Sequence, residues 1–138
     1  MVEVVEWHGP DPAASVRTRY LQHGWTGLRP PYRGRVAVLI DATAMSAAEH
    51  ACLYFATAAR ATFIGAPTAG TNGDVTNTVL PGEVLFAFTG LSVRHADGRQ
   101  LQRIGIQPHV LAEPTLAGIR AGRDEILERA VAWLAARP

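Results

Sequence analysis

Two apolar runs separated by the length of one helix constrain this chain more than any other feature. Residues 35–41 read RVAVLID and residues 61–66 read ATFIGA. Both are continuous apolar segments of strand length, the pattern of strands covered on both faces. A short turn, Ala42 to Met45, leads into an alanine-rich helical stretch from Ser46 to Arg60. Strand, helix, strand in this order predicts a parallel crossover, because antiparallel neighbours need only a tight turn. The predicted fold class is α/β.

Around this unit the remaining elements are shorter. Residues 2–7 (VEVVEW) predict a short strand. The proline- and glycine-rich residues 9–33 predict an irregular stretch with one helical turn around Ala13 to Leu21. We therefore divide the chain into a lead-in, residues 1–32, and a core, residues 33–138. After the second run, PTAGTNGD (67–74) is a turn-rich loop, and Asp74 in it reads as a turn residue. Three β segments follow, Val75–Leu80, Val84–Phe88 and Leu91–His95, with turn signals at Pro81-Gly82 and Asp97-Gly98. PHVLA (108–112) predicts a further extended piece. From Asp124 to Ala136, apolar residues recur at Ile126, Leu127, Ala130, Val131 and Leu134, the spacing of a helix with one buried stripe.

Composition removes several function classes. The 138 residues carry a formal charge of +1, which gives no reason to expect nucleic acid or an anionic membrane as partner. No apolar run approaches the ~20 residues of a membrane span. The N-terminus, MVEVVEWHGPDP, lacks the basic and apolar regions of a signal peptide. The compartment stays open, periplasm and secretion included should the chain be part of a longer one, and so does the oligomeric state. Cys52 is the single cysteine and sits within the helical pattern as a small buried hydrophobe. No paired-cysteine, H-x-x-x-H or H-E-x-x-H spacing suggests a metal, and nothing calls for a cofactor. The glycine-rich loop lacks the lysine and spacing of a phosphate-binding loop. All thirteen basic residues are arginine, so no lysine is available for any chemistry.

Ser46 admits two readings. Ser46 and Glu49 form S-x-x-E, a capping box that contributes about 1 kcal/mol. The same serine, at a helix N-terminus just beyond a buried strand, lies among unpaired amides at the positive end of the helix dipole. There it can serve as a nucleophile, with the backbone amide of Ala47 donating to an oxyanion. A nucleophilic serine also needs a base.

GRVAVLIDATAMSAAEHACLYFATAARATFIGAPTAGTNG (34–73) resembles the active-site core of the tail-specific, or C-terminal processing, serine proteases. The tricorn protease core and the modules of the interphotoreceptor retinoid-binding protein share that core. The resemblance continues through LPGEVLFAFTGLSVRHADGRQLQRIGIQPHV and PTLAGIRAGRDEILERAV, and covers residues 33–136. It implies a ClpP/crotonase-type fold of stacked β-β-α units, a peptide or protein substrate, Ser46 as nucleophile and the Ala47 amide as part of the oxyanion hole. The processing proteases place a dyad lysine where this chain has Thr71. The tricorn-like branch takes a histidine from an upstream segment and a glutamate at the position of Gln102. The family's final G-I-x-P-D reads here Gly105-Ile106-Gln107-Pro108-His109. No counterpart of the family's earlier glycine-rich turn is found in residues 1–33, so the resemblance implies an incomplete, C-terminal portion of the catalytic domain.

Five histidines are candidates for that base: His8, His23, His50, His95 and His109. His50 lies one turn after Ser46 on the same helix face. His95 reads as a solvated hairpin residue and His109 as a packing residue at a strand end. His8 and His23 fall in the lead-in. Two functions of different class remain. One is a serine peptidase whose base comes from outside this chain. The other is a non-catalytic ligand- or protein-binding module that kept the fold. An acyl-CoA enzyme is a distant third, since nothing resembles a CoA site.

Overall fold

The computed structural model describes residues 2–6, 16–20, 32–58 and 61–136. Its centre is the expected crossover. Strand β3 (Ala37–Ile40) leads through helix α1 (Ala47–Ala58) to β4 (Thr62–Gly65), and the strands pair in parallel, Ala37 opposite Thr62 and Ile40 opposite Gly65. A short strand, β8 (Val110–Leu111), joins the far side of β4, also in parallel. The sheet order is β3-β4-β8, which makes β4 central.

The burial of β3 corrects one expectation. Phe63, Ile64 and Gly65 of β4 are buried, as a strand covered on both faces must be. β3 lies at the edge of this sheet, and its Leu39 is 42% exposed. An apolar run reports that a strand is meant to be covered, not which neighbour covers it.

Helix α1 turns Glu49, Cys52 and Leu53 inward, positions i, i+3 and i+4 of one face. Cys52 and Leu53 join Ile40, Phe63, Val93, Leu101 and Ile106 in the core. Burial, and secondarily the Glu49 charge, pushes the Cys52 thiol above its ordinary range. Less thiolate and no access mean less reaction. Cys52 is therefore expected to resist iodoacetamide at pH 8 in the folded chain and to alkylate once urea unfolds it. Equal rates in both states, read by mass spectrometry, would contradict this packing.

Strands β5 (Val75–Leu80) and β6 (Val84–Thr89) form an antiparallel hairpin, turning at Gly82 and Glu83 with φ of +86 and +61. β7 (Leu91–Arg94) belongs to another sheet. Its antiparallel partner is β1 (Val2–Glu6), which also pairs with β2 (Val16–Tyr20). The helical turn expected around Ala13 to Leu21 is thus a strand from Val16 to Tyr20, and the lead-in is not irregular throughout. The sequence VRTRY alternates with period two, and pairing to β1 settles what local propensity leaves open.

Past β8, the short helix α2 (Leu116–Arg120) and then α3 (Glu125–Ala135) close the chain. Asp124 caps α3, accepting from Leu127 N at 2.9 Å. α3 packs on β3 and β4. Arg35, just before β3, lies 3.7 Å above the centre of the Trp133 ring and donates to the carbonyl of Ala136. The buried stripe is narrower than the spacing predicted. Ala130 is buried and Ile126 half-buried, while Leu127, Val131 and Leu134 are exposed, because two strands of this small sheet cover only one edge of the helix. No helix among the described residues is long and apolar enough to cross a membrane.

Candidate active site at the start of helix α1

Beyond β3 the chain is pinned into a turn by Asp41. Its Oδ1 accepts from Thr43 N at 2.8 Å and from the Thr43 hydroxyl at 2.5 Å, and its carbonyl accepts from Ala44 N at 3.1 Å. The Thr43 hydroxyl and amide hold the Asp41 carboxyl below the usual carboxylate range. A depressed carboxyl stabilises the turn above the ordinary carboxylate range and loses that contribution as pH falls through the lowered value.

Ser46 follows with φ +51, a left-handed backbone that costs a non-glycine residue about 1–2 kcal/mol. Its amide donates to Glu49 Oε2 at 3.2 Å and to Thr71 Oγ1 at 3.3 Å. Its carbonyl accepts from His50 N at 3.0 Å and so begins the helical ladder. Only half of the capping box forms. Glu49 returns to the Ser46 amide, but among the described residues the Ser46 hydroxyl accepts nothing from the first turn. A serine that caps has extended backbone; the left-handed turn aims its side chain elsewhere. Ser46 and Ala47 are both exposed, and among the described residues the Ala47 amide has no acceptor.

The opposite wall is the loop after β4. Glu49 Oε1 accepts from the Thr68 hydroxyl at 2.5 Å and from Gly70 N at 2.6 Å, and Oε2 accepts from Thr71 N at 2.8 Å. Residues 101–106 back the loop: Arg103 N donates to Gly70 O at 2.7 Å, and Ile106 N to Thr68 Oγ1 at 2.8 Å. β3 and β4 run parallel, so both of these loops leave from the same sheet end. That is how Thr71, 25 positions along the chain, meets Ser46.

Residues 5–112 match the sequence model of peptidase family S41. The chain belongs to that family. Among curated proteins none matches its sequence. Among solved structures, a candidate peptidase from Parabacteroides merdae is 25% identical with a TM-score of 0.73, covering 81% of this chain and 35% of its own. Mature CPAF, in complex with lactacystin, is 29% identical with a TM-score of 0.66, over 78% of this chain and 22% of its own. The tricorn protease, at 17% identity and a TM-score of 0.54, shares the fold. The chain therefore spans about a third or less of the length of these relatives.

Seen as a member of family S41, the chain separates the candidate residues into two groups. Ser46, the Ala47 amide and Thr71 stand together. Thr71 brings a hydroxyl against the Ser46 amide and no basic group. Gln102 is bonded elsewhere. Its Nε2 donates to Leu91 O, and a Cβ added at Gly73 would lie 2.7 Å from that nitrogen. Gln102 makes no hydrogen bond to Ser46.

The histidines within the described residues are otherwise engaged. His50 meets Tyr54 Oη at 3.0 Å through Nε2 and Asn72 Nδ2 at 3.3 Å through Nδ1, so both ring nitrogens have partners away from Ser46. Nδ1 of His109 accepts from Phe63 N at 2.9 Å while its ring stacks on Phe63. Its backbone amide donates to Phe63 O at 2.8 Å, so main chain and side chain together extend the β4 ladder. His95 is half-buried rather than solvated. Burial, and then Arg99, lowers its pKa against the opposing pull of Asp97. It lines a cavity of about 750 Å³ with Phe63, Arg99, Ile106 and His109. That cavity lies at the start of β4, whereas Ser46 follows the other end of β3, and none of the Ser46 cluster lines it. His8 and His23 lie outside the described residues. Among the described residues no cluster of three metal-ligating side chains occurs.

Proposed function

We propose that this chain carries the nucleophile of a serine-type peptidase catalytic domain, and that Ser46 cleaves peptide bonds through an acyl-enzyme. One observation carries the reading: an exposed serine is held left-handed at a helix N-terminus, its hydroxyl not engaged as a cap, beside the Ala47 amide, which has no acceptor among the described residues. Nucleophile elbows use the same strand, strained turn and helix. In the proposed reaction a base removes the Ser46 hydroxyl proton as Oγ attacks the peptide carbonyl. The Ala47 amide donates to the oxyanion, the amine leaves with a proton, and water then hydrolyses the Ser46 ester. Gln102 occupies the family's glutamate position as an uncharged hydrogen-bonding group. The base comes from sequence outside this chain. The tail-specific character belongs to the same reading, supported by the likeness to the photosystem II D1 C-terminal processing protease; the ClpP/crotonase-type stacking is what the family resemblance implies.

Thr71 in place of lysine and Gln102 in place of glutamate favour the second reading, a non-catalytic ligand- or protein-binding module. Fluorophosphonate labelling separates the two. The chain by itself is expected to label weakly and to hydrolyse peptides little. Added imidazole, a base from solution, is expected to raise labelling at Ser46 at least about tenfold. Labelling that stays absent with imidazole supports the binding module. Hydrolysis that survives Ser46→Ala rules out the Ser46 mechanism.

A further inference from the structure

The Glu49 carboxylate is fully buried, with 0% of its residue surface exposed. It accepts four hydrogen bonds, and among the described residues no cation pairs with it. A carboxylate withdrawn from water without a cation is tolerated only where donors fill its lone pairs. Three of the four donors here are backbone amides, which cannot turn round and accept. Two of those amides belong to left-handed residues, Ser46 at φ +51 and Gly70 at φ +69. Successive or facing amides in such conformations converge on an anion; here the anion is a side chain of the protein itself.

The far side of this arrangement is fixed. A Cβ added at Gly70 would lie 2.9–3.0 Å from the backbone nitrogens of Arg103, Ile104 and Gly105, so the loop has no room to retreat. Thr68 is held twice by Ile106, through its own amide and through its hydroxyl. The Ser46 amide is therefore referenced to the core through Glu49, and not only to the helix it begins.

We propose that Glu49 is a positioning residue for Ser46: its carboxylate holds Ser46 in the left-handed conformation and sets the hydroxyl relative to the 68–71 loop. The inference rests on reading Ser46 as the nucleophile. Glu49 touches no substrate and carries no proton in the reaction. It acts by keeping the attacking oxygen in one place. Glutamine fits the space but offers one oxygen. With its nitrogen at the Oε1 position it opposes the Gly70 amide; at the Oε2 position it opposes the amides of Ser46 and Thr71.

The test compares the parent chain, Glu49→Gln and Ser46→Ala. The readouts are imidazole-assisted fluorophosphonate labelling, thermal melting, and the strong intraresidue amide-to-α-proton NOE that a positive φ produces at residue 46. In Glu49→Gln the chain is expected to melt cooperatively, lose that NOE, and label at least about tenfold more slowly, since small misplacement of a nucleophile is costly in rate. A retained NOE with unchanged labelling overturns the proposal. If Glu49→Gln does not fold, hydrogen exchange of the parent decides. The amides of Ser46, Gly70 and Thr71 are expected to open together, and independent opening overturns the proposal. Equal labelling of Ser46→Ala and parent sinks the nucleophile reading alone, since the NOE and exchange still judge Glu49.

Discussion

Ser46→Gly is expected to keep the stability of the parent chain while losing all imidazole-assisted labelling. Ser46→Thr, which retains a hydroxyl, is expected to lose about 1–2 kcal/mol of stability, because a β-branched residue is a poor occupant of left-handed backbone. Ser46→Ala falls between them in stability and is as unreactive as glycine. The threonine result discriminates between the two readings of this serine. Threonine is nearly as good a helix cap as serine, so a capping role predicts little change. The left-handed φ of +51 predicts a clear loss. Urea unfolding and mass-mapped labelling on the same four proteins provide both measurements. A threonine variant as stable as the parent would contradict the backbone geometry at the site.

Gly65→Ala is expected to be the most damaging glycine-to-alanine change among the described residues. Gly65 ends β4 at φ +135, and a Cβ there would lie 1.8 Å from the carbonyl oxygen of Ile40. That oxygen is backbone in the facing strand and already accepts from Ala66 N at 2.9 Å, so neither partner can move without parting β3 from β4. The cost is about 3 kcal/mol or more, at or beyond the upper end for overpacking. Gly82 supplies the comparison. It too has a positive φ, +86, but nothing lies within 4 Å of an added Cβ. Gly82→Ala is expected to lose only about 1 kcal/mol, from backbone strain alone. Urea midpoints at constant slope measure both. Equal losses at the two positions would show that strand contact at Gly65 is not the cause.

The crossover was legible because apolar runs and helical spacing are local signals. RVAVLID and ATFIGA gave strands within two residues of where they lie. The family was legible from the order of its motifs across residues 33–136. The interior of the site was less so. S-x-x-E announced that Ser46 and Glu49 would meet, but not that one arm of the box would be missing. Serine has no preference for positive φ, so the left-handed turn leaves no trace in composition. Thr68, Gly70 and Thr71 reach Glu49 only after the chain has passed through β4, and no short-range pattern records such a contact. His50 illustrates the same limit. Helical spacing placed it on the face of Ser46, whereas Asn72 and Tyr54 determine where its ring nitrogens go. The exposed side of α3 has a similar cause. Periodicity names the apolar residues of a helix, and the width of the neighbouring sheet decides how many are covered.

The left-handed turn at residue 46 also bears on mutational drift. Glycine suits the backbone there at least as well as serine, and asparagine is among the residues that tolerate it best. A lineage relieved of hydrolysis therefore meets no folding barrier at this position. Glycine and asparagine both discard the hydroxyl at little or no cost to the backbone there, so chance substitution tends to remove it. Core positions such as Ile64 and Leu101, fully buried, enjoy no such freedom. With Ser46 read as the proposed nucleophile, loss of chemistry and loss of fold are uncoupled at this position, and a serine standing there runs against the direction in which drift would carry the chain.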